Sequence, residues 1–330
     1  MRTGTIQSSQ PYRTQKLRRP AARQPWLWLA LGAALLLFAN GRSSIPLAAW
    51  LAPVFLLRFV RLQPRRIWMP TLYIVGIATH AFAFRGMIPI PGIFYYIFLA
   101  AAGLLALVPF LADRWLAPRL PAFAAALVFP CVWVALDFAI SFGLHGTWGN
   151  AAYSQYGDLP LLQIVSVTGL WGIVFLLGWF AATCNWLWEK GLADRGARAG
   201  ALLCLGTIAV VLLLGGARLA FFPPSSAAVR VASLSTRPLG IKLPEYIGSR
   251  IYAGNATPAD VPLARQWDAA VQNDLLARSE REAQAGAKII FWTEGSAPVW
   301  KNDEPAFLAR GSELASKYKI YLGMALGVWS

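Results

Sequence analysis

Acidic side chains are scarce: 15 Asp and Glu stand against 30 Lys and Arg in 330 residues, with two histidines and three cysteines. His80 and His145 lie far apart with no partner at metal-ligand spacing, which argues against a metal centre, and no cofactor is expected. Cys131, Cys184 and Cys204 sit inside apolar runs without CxxC spacing, which sets aside a disulfide framework and reads as small buried hydrophobes. GxGxxG, Walker and GxSxG patterns are missing, so the chain shows no sign of dinucleotide, P-loop or serine-hydrolase chemistry.

What is present is apolar: 57% of the residues, including 15 tryptophans, a membrane-protein composition. Residues 1–223 carry 18 Lys and Arg against five acids, a net of +13. Residues 224–330 carry 12 against ten, a net of +2, the balance of a soluble domain. The basic excess falls in short loops between apolar runs, where it sets membrane topology, so no nucleic-acid partner is expected.

Seven stretches are candidate spans: 25–40, 45–60, 67–84, 93–112, 122–141, 161–188 and 199–222. The first two are brief enough to form a short hairpin instead. Residues 1–24 read as a basic cytoplasmic tail ahead of a membrane domain at 25–222. The tail and alternate loops hold 15 basic residues, whereas the other loops hold only Arg42 and Arg85. The positive-inside rule then puts the N-terminus in the cytoplasm and, after seven crossings, residues 223–330 outside it.

Beyond the sequence PPSS at 223–226 the periodicity changes. AAVRVASL (227–234) alternates as a strand does, 263–285 has helical spacing and ends before Gly286, and 288–292 is an apolar, β-favouring run. A short helix at 304–317 and a strand at 319–326 complete a strand–helix–strand–helix–strand order, the order of parallel α/β units, although three strands are too few to close such a domain.

Two carboxylates stand out. Glu294 follows the 288–292 strand, and the carboxyl end of a parallel strand is where such sheets face their ligands; a solvated loop acid is the equal alternative. Asp137 lies within the fifth span, where a carboxylate is costly, and pairing with a loop donor explains it better than chemistry does. The loop GLHGTWGNAAYSQYGDLPLL (143–162) is rich in Trp, Tyr, Asn and Gln, as an aromatic belt or the rim of a lipid-headgroup site would be.

WGNAAYSQYGDLPLLQIVSVTGLWGIVFLL (148–177) resembles the signature region of apolipoprotein N-acyltransferases. VRVASL, the helix after it and AKIIFWTEGSAP resemble the opening of a carbon–nitrogen hydrolase (nitrilase-superfamily) domain. The resemblance implies a multi-pass α-helical membrane domain joined to the N-terminal part of an α/β nitrilase-like domain, an α-β-β-α sandwich, at 223–330. It places Glu294 on the family's general base, which takes the proton of a cysteine thiol. It makes Trp148, Asn150, Tyr153 and Gln155 candidate substrate-binding residues.

The implied reaction moves an acyl chain from a membrane phospholipid, through a cysteine thioester, to the N-terminal amine of a lipoprotein cysteine. Its partners are the phospholipid donor and the lipoprotein acceptor; its place is the bacterial plasma (inner) membrane, and the protein is expected to act as a monomer. The chain departs from the pattern in several places. Thr147 stands where the family often has Pro, and TEGSAP where it commonly shows Pro-Glu-Thr-Ala. The family's Lys and Cys come downstream of the Glu, past Ser330, as does a last span, so the expectation is a C-terminally truncated and, alone, inactive chain. A membrane-tethered amidase or nitrilase-type hydrolase and a non-catalytic short form that binds lipid or lipoprotein are the alternatives.

Overall fold

The computed structural model describes residues 24–63, 66–85, 87, 92–143, 146–222 and 228–329. The basic tail, Arg65, His145 and the 223–226 linker lie outside them. The chain divides into two compact units, Met1–Pro223 and Pro224–Ser330.

The first unit is helical: α1 (Gln24–Ala39), α2 (Pro46–Leu62), α3 (Trp68–Ala83), α4 (Ile93–Ala106), α5 (Val108–Leu116), α6 (Ala122–Ile140), the short α7 (Leu159–Leu162) and α8 (Val165–Thr168), α9 (Trp171–Lys190) and α10 (Arg195–Phe221). Among the described residues four helical segments are long and apolar enough to cross a membrane: Ile93–Arg119, Phe123–Ile140, Trp171–Lys190 and Arg195–Phe221. Seven spans were expected. The other three expected spans are α1, α2 and α3, whose length of about 24–26 Å at 1.5 Å per residue is one that a bilayer accommodates by local thinning and snorkelling flanks. The expected sixth span, 161–188, is interrupted. Gly169 adopts φ +63° and ψ −171°, a conformation open to glycine, and this ends α8 before Trp171 starts α9.

α9 is the centre of this unit. Ile173, Val174, Leu177, Ala181 and Ala182 are closed off by neighbouring helices. A Cβ on Gly178 would lie 2.9 Å from the Pro130 backbone, so the missing side chain is what lets α6 and α9 meet. Asn185 donates to the Val54 carbonyl of α2 at 2.9 Å and to its own helix at Ala181. Cys204 is buried, whereas Cys131 is exposed on the surface of α6 and Cys184 is half-buried. Burial was expected for all three; a thiol is apolar enough to take an outward position on an apolar helix.

The second unit contains β1 (Val231–Leu234), α11 (Glu245–Tyr252), α12 (Val261–Gln284), β2 (Ile289–Trp292), β3 (Ala297–Trp300), α13 (Glu304–Tyr318), β4 (Tyr321–Gly323) and β5 (Leu326–Trp329). β1, β2 and β4 form a parallel sheet in that order, and β3 pairs in parallel with β5. β2 runs on into β3, and β4 into β5, so the two sheets are one ribbon broken at residues 293–296 and 324–325.

Alternation decides which face of the three-stranded sheet is closed. Leu234, Ile290 and Trp292 pack against Val271 and Leu275 of α12 and Phe307 of α13. Each such side chain contributes roughly 1.5–3 kcal/mol by leaving water. On the opposite face Val231, Phe291 and Tyr321 remain 55%, 53% and 79% exposed. β2 is therefore covered on one side only.

Candidate functional site

The loop between α6 and α8 is built from side chains that cap and tether it. Asn150 caps the 3-10 turn Ala151–Gln155: its Oδ1 accepts from the Ala152 N–H at 2.9 Å. Its Nδ2 donates to Asp137 Oδ2 at 2.8 Å, which supplies the loop donor that this carboxylate in α6 requires. Asn40, at the end of α1, donates to the Gly149 carbonyl at 2.6 Å.

Gln155 is 1% exposed and saturated: Nε2 donates to the Pro46 carbonyl at 3.0 Å and to Ser154 Oγ at 2.8 Å, and Oε1 accepts from Trp50 Nε1 at 3.1 Å. Asn150 and Gln155 thus face inward and fix the loop to α1, α2 and α6. Trp148 and Tyr153 face outward. Trp148 packs its ring 5.1 Å from that of Phe84, and the Tyr153 hydroxyl meets Thr147 Oγ1 at 2.6 Å.

Gly149 permits this geometry with φ +77°, while a Cβ there would find open space. Gly149→Ala is expected to cost about 1–2 kcal/mol from backbone strain alone. A lower thermal midpoint of the detergent-solubilised protein is the measurement that checks it.

Beneath the loop lies a cavity of about 570 Å³. Leu72, Leu99 and Phe129 are among its apolar lining residues, and Asn40, His80, Asp137 and Asn150 line it as well. An apolar body with a few polar groups is the form of a site for one chain of a lipid. The sequence missed Asn40 and Trp50, since their partners lie 105 to 110 positions away and no local pattern links them.

In the second unit Glu294 is exposed in the turn between β2 and β3. The turn is held at both ends. The Thr293 N–H donates to the Leu234 carbonyl at 2.9 Å, the Ser296 N–H returns to Thr293 at 3.0 Å, and Gly295 takes φ +63°. Trp292, next to the turn, donates from Nε1 to Ser279 Oγ of α12 at 2.9 Å and stacks on Phe307. Among the described residues Glu294 makes no hydrogen bond or ion pair, and its side chain faces solvent. An open cleft of about 570 Å³ begins at Gly295 and continues along Gly327, Val328 and Trp329 to Ile251, Ala253 and Gly254.

The model of the apolipoprotein N-acyltransferase N-terminal domain matches residues 26–183, which include the Asp137–Asn150 pair and the whole Trp148–Gln155 turn. The chain is similar to apolipoprotein N-acyltransferases over that N-terminal domain and beyond it. An apolipoprotein N-acyltransferase of Geobacter metallireducens is 26% identical over an alignment that covers 92% of this chain and 58% of that protein. Another, from Pseudomonas syringae pv. tomato, is 27% identical over 68% of this chain and 40% of its own length. The chain thus spans little more than half of the first relative. The alignment with the Geobacter apolipoprotein N-acyltransferase takes in most of the chain, whereas the domain match lies wholly within the first unit.

Proposed function

We propose that this chain serves lipoprotein N-acylation in a bacterial plasma membrane. An acyl chain leaves a phospholipid to form a cysteine thioester and then passes to the N-terminal amine of a lipoprotein cysteine, with Glu294 as the general base. The observation that carries the proposal is the place of Glu294: solvent-facing and unpaired among the described residues, at the carboxyl end of a parallel strand and beside an open cleft. The membrane unit supports it with an apolar cavity capped by a polar loop. Both substrates are anchored in a bilayer, so a membrane-bound enzyme gains effective concentration.

The nitrilase-like sandwich belongs to the same proposal. The apolar face of Val231, Phe291 and Tyr321 is the kind of surface that a second sheet covers in an α-β-β-α arrangement. The excess of basic residues in the tail and alternate loops supports a cytoplasmic N-terminus and an extracytoplasmic second unit.

The three cysteines all lie in helices of the first unit, Cys131 in α6, Cys184 in α9 and Cys204 in α10, flanked by apolar residues. Residues 1–330 by themselves are therefore expected to form no acyl thioester. Incubation with a phospholipid carrying a labelled acyl chain, followed by intact-mass measurement, checks this; a hydroxylamine-sensitive acyl adduct would refute it.

The open, solvent-facing turn at Glu294 also suits a hydrolase that releases the acyl group to water, and the membrane cavity suits a form that binds lipid without turnover. The deciding experiment supplies labelled phospholipid and a diacylglyceryl-cysteine peptide to the product of the complete reading frame. Label on the peptide amine supports the transferase. Free labelled acid supports the hydrolase, and retention of intact phospholipid that Trp148→Ala weakens supports binding alone.

A further inference from the structure

One guanidinium of the membrane unit has no acceptor of its own. The Arg58 side chain, on α2, is 15% exposed, and its Nη1 is closed from solvent without a hydrogen bond. The one acid within 4 Å of it among the described residues is Glu189 of α9, at 3.8 Å, beyond hydrogen-bond reach. Glu189 is already held at 3.3 Å by Arg61, which also holds Asp113. What fixes Arg58 is a ring instead: its Cζ lies 5.6 Å from the centre of Trp188.

The surroundings place this group at a membrane surface. Trp28 of α1 packs 5.2 Å from the Trp188 ring, and its Nε1 is likewise closed off without an acceptor. Trp188 itself is 43% exposed, as is Trp26 at the start of α1. Exposed tryptophans at the ends of membrane helices sit at the level of the lipid headgroups. Arg58 therefore lies at the depth where phosphate oxygens are the acceptors at hand. The local charge agrees, since Arg58, Arg61 and Arg114 outnumber Asp113 and Glu189, and Lys190 follows directly.

We propose that Arg58 and Trp188 form a binding site for the phosphate of an anionic phospholipid, the guanidinium donating to the phosphate oxygens and the indole holding it flat. A planar fork of N–H donors matches two oxygens of one phosphate. The excess of arginine selects against a headgroup that brings its own ammonium. The site lies at the opposite end of α2 from Pro46, which tethers the polar loop over the cavity, about 18 Å away at 1.5 Å per residue. It takes nothing from the acyl-transfer reading and needs only that the first unit lies in a bilayer.

The test is native mass spectrometry of the full chain from detergent, after incubation with equal amounts of phosphatidylglycerol and phosphatidylcholine of the same acyl chains. The wild type should retain phosphatidylglycerol in preference. Arg58→Gln should lower that retention about fivefold, the worth of one basic residue at an anionic surface, and leave phosphatidylcholine as it was. Arg58→Lys keeps the charge without the fork and should fall between the two; it decides the matter if the Gln variant does not fold. Excess inorganic phosphate should leave the lipid bound, and its displacement would give the site to a soluble anion instead. Equal retention of both lipids by the wild type, or a preference that the folded variants leave unchanged, would overturn the proposal.

Discussion

Glu294→Gln should slow acyl-thioester formation by about 10²–10⁴-fold, the usual contribution of a positioned general base. The change is nearly isosteric and removes only the proton-accepting charge. Since Glu294 is exposed and makes no hydrogen bond or ion pair among the described residues, no buried contact is lost and the thermal midpoint should stay where it is. The measurement is the rate of acyl-enzyme appearance from labelled phospholipid, by intact mass, in the product of the complete reading frame. Glu294→Asp separates charge from reach: it keeps the base but shortens it by one methylene, and should fall between wild type and Gln. A Gln variant that acylates at the wild-type rate would remove Glu294 from the mechanism, and with it the observation on which the proposed function stands.

The position of Glu294 was legible because it needs only a short apolar run followed by an acid. The turn around it was not. Residues 297–300, which contain Pro298 and were given no element from the sequence, form β3, because a parallel partner, β5, lies in register and no third strand among the described residues asks for the missing N–H. β5 was hidden for a related reason. The apolar run 319–326 reads as a single strand, whereas the break at residues 324–325 turns its end into a second pairing.

The membrane unit shows the same division between local and distant information. α6, α9 and α10 follow directly from their apolar runs, and Asp137 announced its need for a donor, because an intramembrane carboxylate left alone is costly. The tethering of the 146–155 turn to Asn40, Trp50 and Pro46 depends on how α1 and α2 pack, which no window of sequence contains. The composition of the loop marked it as special and the family resemblance made Asn150 and Gln155 substrate-binding candidates; their side-chain amides bond α2, α6 and the loop itself, and Asn150 also lines the cavity. Trp148 and Tyr153 are the members of that set left facing out.

Asp113→Ala is expected to destabilise the membrane unit by about 3 kcal/mol, near the lower end of what breaking a buried ion pair costs. Asp113, on α5, is 1% exposed and receives both arms of Arg61 from α2, Nε at 2.9 Å and Nη2 at 2.7 Å. Removing the carboxylate leaves a guanidinium whose one remaining acidic partner among the described residues is Glu189 of α9, 3.3 Å away and 40% exposed. That residual partner is why the expected loss stays below the full penalty of an unpaired buried charge. The neighbouring Arg114 donates to the Val60 carbonyl, one of the carbonyls the last turn of α2 leaves without a helical partner, so α5 holds that helix end twice. Replacing both members, Arg61→Met with Asp113→Leu, should recover most of the loss, because two desolvated charges are exchanged for apolar packing of similar volume. Denaturation in detergent micelles with increasing dodecyl sulfate measures all three variants. A double variant as unstable as Asp113→Ala would mean that the pair sets the mutual register of α2 and α5; a single variant as stable as wild type would mean that Glu189 alone is enough to satisfy Arg61.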